Sequence, residues 1–107
     1  MQKVVTARHV EIADGLKKRA LVVLERFTRY VRGPIESSVT FDRDGHEAFA
    51  EVRLHVSHGE WFVAKSVSGD HRSALDRAEA KMRRQIEKVF GRPPRTRQRR
   101  VARQSLA

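Results

Sequence analysis

An α+β fold in the order β-α-β-β-β-α, a four-stranded sheet with both helices packed on one face, follows from three features of the sequence. Residues 13–31 and 69–90 each place their apolar side chains on one side of a helix projected at about 100° per residue. Residues 47–56 alternate strictly, with Ala48, Ala50, Val52, Leu54 and Val56 on one face and Phe49, Glu51, Arg53 and His55 on the other. Turn pairs at Asp44-Gly45 and His58-Gly59 bracket that strand and predict an antiparallel meander.

The first element, QKVVTA at 2–7, is short and β-branched and predicts a strand. In the first helix Leu16, Ala20, Val23, Leu24, Phe27, Tyr30 and Val31 cluster within about 120° of the circumference. Asp14 and Arg29 sit at the ends where the helix dipole favours them. The N-terminal boundary lacks a Ser or Thr cap, and Arg32-Gly33-Pro34 ends the helix. A strand over 36–42 points Ser37, Val39 and Phe41 one way, and the last strand spans 60–68. Asp70 is placed to cap the second helix with Ser73, and Gly91 followed by Pro93-Pro94 stops it. Strand one joins the sheet by a right-handed crossover through helix one. Two amphipathic helices on few strands are most economically placed over one sheet face.

The chain has 107 residues, enough for one domain with a modest core. Lys and Arg number 23 against 13 Asp and Glu, for a net charge of +10. That excess points to a polyanionic partner, nucleic acid before an anionic membrane. Cysteine is absent, which removes disulfides and thiolate metal sites. No apolar run approaches the roughly 20 residues of a membrane span, and no signal-peptide core is present, so a cytoplasmic location is expected. The charge divides unevenly. Residues 92–107 carry six arginines and no acid, a composition that predicts a disordered basic tail behind a domain at 1–91.

On the second helix Arg77, Lys81, Arg84 and Lys88 recur at i, i+4, i+7 and i+11, opposite Leu75, Met82, Ile86 and Val89. No acid interrupts them. Surface helices usually mix signs, because oppositely charged neighbours stabilise them by a few tenths of a kcal/mol. A uniform stripe repels itself slightly and suits a polyanion lying along it, the plain alternative being a solvated basic face. Helix one adds Lys17, Lys18, Arg26, Arg29 and Arg32, interrupted by Glu25 and Leu21-Val22. If the helices are neighbours, the two sets form a continuous cationic surface with phosphate-like spacing.

Catalytic patterns are missing: there is no phosphate loop, dinucleotide turn or nucleophile elbow, so no enzyme, cofactor or small-molecule substrate is expected. His55 and His58 are three apart with no completing carboxylate, and exposed or structural histidines explain them better than a metal site. Asp76 and Glu79 lie beside basic residues in the ordinary intrahelical pattern. Phe49, Trp61 and Phe62 could stack on bases from an open sheet face, although core or sheet-edge packing is the better account of them.

Two stretches resemble a known family. Val10-Glu11-Ile12 ahead of a helix that closes with ERFTRYV is similar to the start of the ribosome hibernation-promoting factors and the related ribosome-associated inhibitor. The stretch GDHRSALDRAEAKMRRQIEK resembles the family pattern Asp-x-Tyr-x-Ala-Ile-Asp followed by Lys-Leu-x-Arg-Gln-Leu-x-Lys, matched by Asp70, Ala74, Leu75, Asp76, Lys81, Met82, Arg84, Gln85, Ile86 and Lys88. The resemblance spans residues 1–90 and implies the same β-α-β-β-β-α fold. It also implies binding in the mRNA and tRNA channel of the small ribosomal subunit by a protein that is monomeric off the ribosome. Lys81, Arg84 and Lys88, with Arg26 and Arg29, would then touch ribosomal RNA phosphates, and Arg77 completes the stripe. The sequence departs from the pattern at Arg72 (usually Tyr), Ala13 (usually a Thr cap) and Val22-Val23 (usually a basic position). The resemblance is to a short form, with a basic rather than acidic tail. The family is also labelled a sigma-factor modulator, so a sigma-factor regulator stands as one alternative; a general binder of double-stranded RNA is the other.

Overall fold

The alternating and amphipathic runs fold into two layers in the computed structural model, which describes residues 2–57 and 60–91. In chain order the elements are β1 (Gln2–Ala7), α1 (Asp14–Tyr30), β2 (Pro34–Asp44), β3 (Glu47–Val56), β4 (Trp61–Ser68) and α2 (His71–Phe90). The α+β order is the expected one. The sheet runs β1-β2-β3-β4. β1 lies parallel to β2 with Val5 opposite Val39, and the other two pairings are antiparallel, with Val52 opposite both Val39 and Ala64.

This register stacks the alternating residues into one buried layer. Val39 and Phe41 from β2, Ala50, Val52, Leu54 and Val56 from β3, and Phe62 and Ala64 from β4 form the sheet's half of the core. Above them lie Ala20, Val23, Leu24 and Phe27 of α1 and Ala74, Leu75, Ala78, Met82 and Ile86 of α2. Both helices therefore cover the same face, α1 towards β1 and β2 and α2 over β3 and β4. Among the described residues no element covers the opposite face of the sheet.

The ends of the elements follow local chemistry. Ala13 precedes α1 without a side-chain cap, as its methyl group dictates. Asp70 caps α2: its carboxylate accepts from the Ser73 backbone N–H at 2.8 Å and from the Ser73 hydroxyl at 3.0 Å. Those bonds, the backbone one first, hold the Asp70 carboxyl below its usual range. Gly91, at φ 76° and ψ −178°, ends the helix in a backbone conformation that favours glycine, with its N–H on the Glu87 carbonyl. β2 begins two residues earlier than its alternation suggests, because Pro34 can occupy the first position of a strand and a register irregularity follows it.

Val89 departs from expectation. It shares the angular sector of Met82 and Ile86 but is 57% exposed. It stands in the last turn of α2, level with the start of β4, where little sheet remains beneath it. The expected His58-Gly59 turn and the basic segment 92–107 lie outside the described residues.

Candidate nucleic-acid interface

The two faces of α2 are set by helical geometry: Leu75, Ala78, Met82 and Ile86 are fully buried, while Arg77, Lys81, Arg84 and Lys88 are exposed. The stripe runs along the flank that overhangs β4, the edge strand of the sheet. Arg77 Nη1 donates to the Val67 carbonyl at 3.2 Å, Lys81 Nζ to the Lys65 carbonyl at 2.9 Å, and Gln85 Nε2 to the Val63 carbonyl at 2.8 Å. Four residues of helix rise about 6 Å and two residues of strand about 6.6 Å, so the periods match and each side chain meets the next outward carbonyl. Gln85 belongs to this ladder although it carries no charge. The sequence signal for it is the i, i+4, i+8 series of long donors beside an edge strand.

Arg77 and Lys81 thus anchor one donor each while their charges stay at the surface. Together with Arg84, Ser66, Val67 and Ala80 they line a shallow hollow of about 310 Å³. Arg84 and Lys88 make no hydrogen bond or ion pair with another side chain among the described residues. Four cations at successive turns, two braced and two free, are suited to track a line of phosphates.

The flank of α2 that faces α1 differs. Asp76, expected in intrahelical pairing, instead meets Arg19 of α1 at 2.9 Å. Glu79 is buried, 5% exposed, and bonds Arg26 of α1 at 3.2 Å as well as Arg83 one turn on at 3.5 Å. Helix packing, not spacing along one helix, chooses these partners. The seam between the helices is therefore charge-paired, and the cations do not form one uninterrupted sheet of charge. Arg26 sits at this seam. Arg29 lies 3.9 Å from Glu25, whose nearer partner is Lys3 at 2.8 Å; the hydrogen bond from Lys3 holds the Glu25 carboxyl below its usual range. Arg83, not singled out from the sequence, joins Arg26 at the seam.

Of the three aromatic residues considered for base stacking, Phe62 is in the core and against Phe90. Phe49 and Trp61 are on the open face. His55 is there too, and among the described residues no group of three or more His, Asp or Glu could hold a metal ion.

The chain is a two-layer β-α-β-β-β-α domain with a cation stripe along its second helix. Residues 4–92 match the model of the family described as sigma 54 modulation protein / S30EA ribosomal protein, and the chain belongs to that family. Over 85 residues it is 27% identical to the ribosome hibernation promotion factor of Rhizobium meliloti (strain 1021), covering 78% of this chain and 45% of the relative, so it spans about half of that protein's length. The N-terminal domain of Protein Y from Thermus thermophilus superposes with a TM-score of 0.69 at 25% identity, over 79% of this chain and 93% of that one. A ribosomal subunit interface protein from Coxiella burnetii superposes with a TM-score of 0.73 at 16% identity, over 86% and 100%, and shows the shared fold.

Proposed function

We propose that this protein is a non-enzymatic, cytoplasmic ribosome-binding translation inhibitor. It occupies the mRNA and tRNA channel of the small subunit and excludes both by bulk and by charge. Family membership and the names of its relatives support the ribosome as target. The single observation that carries the mode of binding is the exposed, acid-free stripe Arg77, Lys81, Arg84 and Lys88. Its mounting on a helix packed over β3 and β4 means that no backbone ordering is needed on binding, and of the four side chains Arg77 and Lys81 are already braced. Arg26 and Arg29 are the contacts proposed for α1, reached across the paired seam.

No described helix is long and apolar enough to cross a membrane. Sucrose-gradient sedimentation of the protein in stationary-phase lysate, and with separated subunits, tests the proposal. Comigration with the small subunit, displaced by tRNA and message, is expected. Comigration with RNA polymerase alone would replace it with the sigma-factor reading, and equal binding to any RNA duplex would replace it with a general duplex binder.

A further inference from the structure

The flank of α2 that overhangs β4 is concave as well as cationic. Arg77, Lys81 and Arg84 surround the hollow of about 310 Å³, and Ser66 and Val67 of β4 with Ala80 of α2 complete its lining. No acid belongs to that lining. β4 contains Lys65 and no carboxylate. On α2, Asp76 and Glu79 turn to the other flank, where Arg19, Arg26 and Arg83 hold them. Glu87 lies beyond Arg84 and outside the hollow, and Asp70 is engaged with Ser73 at the helix start.

The side chains are set for an anion in advance. Arg77 and Lys81 each give a donor to an outward carbonyl of β4, at 3.2 and 2.9 Å, which leaves the rest of the guanidinium fork and of the ammonium for a ligand. That bracing lowers the ordering cost of binding. Arg84 forms no ion pair among the described residues. Ser66, 6% exposed, adds a hydroxyl donor from the strand beneath. Ala80 presents only a methyl group, and a longer side chain there would occupy the hollow.

Charge decides what kind of anion suits it. Each phosphate of an RNA backbone is a diester with one negative charge. A terminal phosphate carries about −1.5 to −2 at neutral pH, and linked phosphates carry more. Three cations around one hollow exceed what a single diester neutralises and match a short chain of phosphates. The volume, at the small end of the roughly 300–1,000 Å³ of ligand sites, suits such a chain better than a large apolar ligand.

We infer that this hollow binds a compact polyphosphate, an anion of directly linked phosphate groups, through Arg77, Lys81, Arg84 and Ser66. The same three cations belong to the stripe proposed to meet RNA, so the small anion and RNA exclude each other there. That exclusion rests on the proposed function, whereas the anion site itself does not.

Isothermal titration of the full chain with inorganic tripolyphosphate in magnesium-free buffer tests the site. Saturable binding is expected, with sulfate at matched ionic strength binding far more weakly. Arg84→Gln weakens the binding by about tenfold or more, the range for losing one charge-assisted hydrogen bond. Ala80→Leu fills the hollow at constant net charge and weakens it at least as much, with folding checked by circular dichroism. Arg97→Gln plus Arg99→Gln, outside the hollow, leaves the affinity unchanged. In a separate anisotropy experiment tripolyphosphate displaces a labelled RNA duplex from the wild-type chain over the range in which it fills the hollow. Unchanged affinity in the folded Ala80→Leu and Arg84→Gln variants overturns the inference. So does loss of binding in the Arg97→Gln plus Arg99→Gln variant, which would assign the anion to residues 92–107, or sulfate binding as tight as that of tripolyphosphate. A chain that binds tripolyphosphate in the hollow but does not comigrate with the small subunit keeps this site and loses the ribosome reading.

Discussion

At Gly33 the backbone has φ +65°, and a Cβ placed there would run into the side chain of Ser57, whose N–H donates to the Gly33 carbonyl at 2.8 Å. Backbone strain and contact act together at this one turn between α1 and β2. Gly33→Ala is expected to lower stability by about 1–3 kcal/mol, read from the midpoint of urea unfolding with an unchanged slope. Ser37 presents the opposite case. It is 1% exposed, and its hydroxyl has no partner among the described residues. A buried unpaired hydroxyl is desolvated without compensation, so Ser37→Ala should leave stability unchanged or raise it by about 1 kcal/mol. A clear loss in the same unfolding experiment would mean that the hydroxyl has a bonding partner after all. The sequence marks Gly33 within a helix stop and puts Ser37 on the face of Val39 and Phe41, but not the contacts that make each position sensitive, because distant strands and turns supply those.

Within α2 the side chains divide among three tasks. One flank fastens the helix to α1 through Arg19–Asp76 and Arg26–Glu79. The buried face holds the sheet, and the third flank caps the outward carbonyls of β4. Free carbonyls on an edge strand invite another strand to pair with them. Replacing Arg77, Lys81 and Gln85 together with Ala is therefore expected to leave a folded protein that self-associates, detected as a mass above the monomer by light scattering. A monomeric triple variant would mean that the ladder does not guard the edge. The start of α2 gives a pH test. The folded-state carboxyl of Asp70 titrates below its usual value because it accepts from Ser73. Asp42 is likewise lowered, first by His9 at 3.0 Å and then by the Arg43 backbone N–H. A lowered carboxylate stabilises the fold above its unfolded-state pKa, and that contribution is lost as pH falls through the folded-state value. Melting temperature should drop on acidification below the ordinary carboxylate range, and Asp70→Asn should flatten the drop while leaving the neutral arm nearly level.

For the molecule as a whole, the fold was legible because two periodicities and two turn pairs agree with each other. Alternation over Glu47–Val56 reproduces the buried set of β3 residue for residue. The exposed position of the stripe on α2 was legible for the same reason. What escaped the sequence is partner choice: Asp76 and Glu79 bond across to α1, and Gln85 joins the edge ladder, because docking of elements decides these contacts. The same whole-molecule view fixes the salt response. The four stripe cations together with Arg26 and Arg29 predict a slope of roughly −4 to −5 for ribosome affinity, at about −0.7 to −0.9 per phosphate. The most direct measurement of the central claim is co-sedimentation of the Lys81→Glu plus Arg84→Glu variant with small ribosomal subunits. Both residues are exposed, away from Leu75, Met82 and Ile86, so circular dichroism and melting should stay close to wild type. The account predicts a folded protein left at the top of the gradient. A folded double variant that still travels with the small subunit at wild-type levels would contradict it.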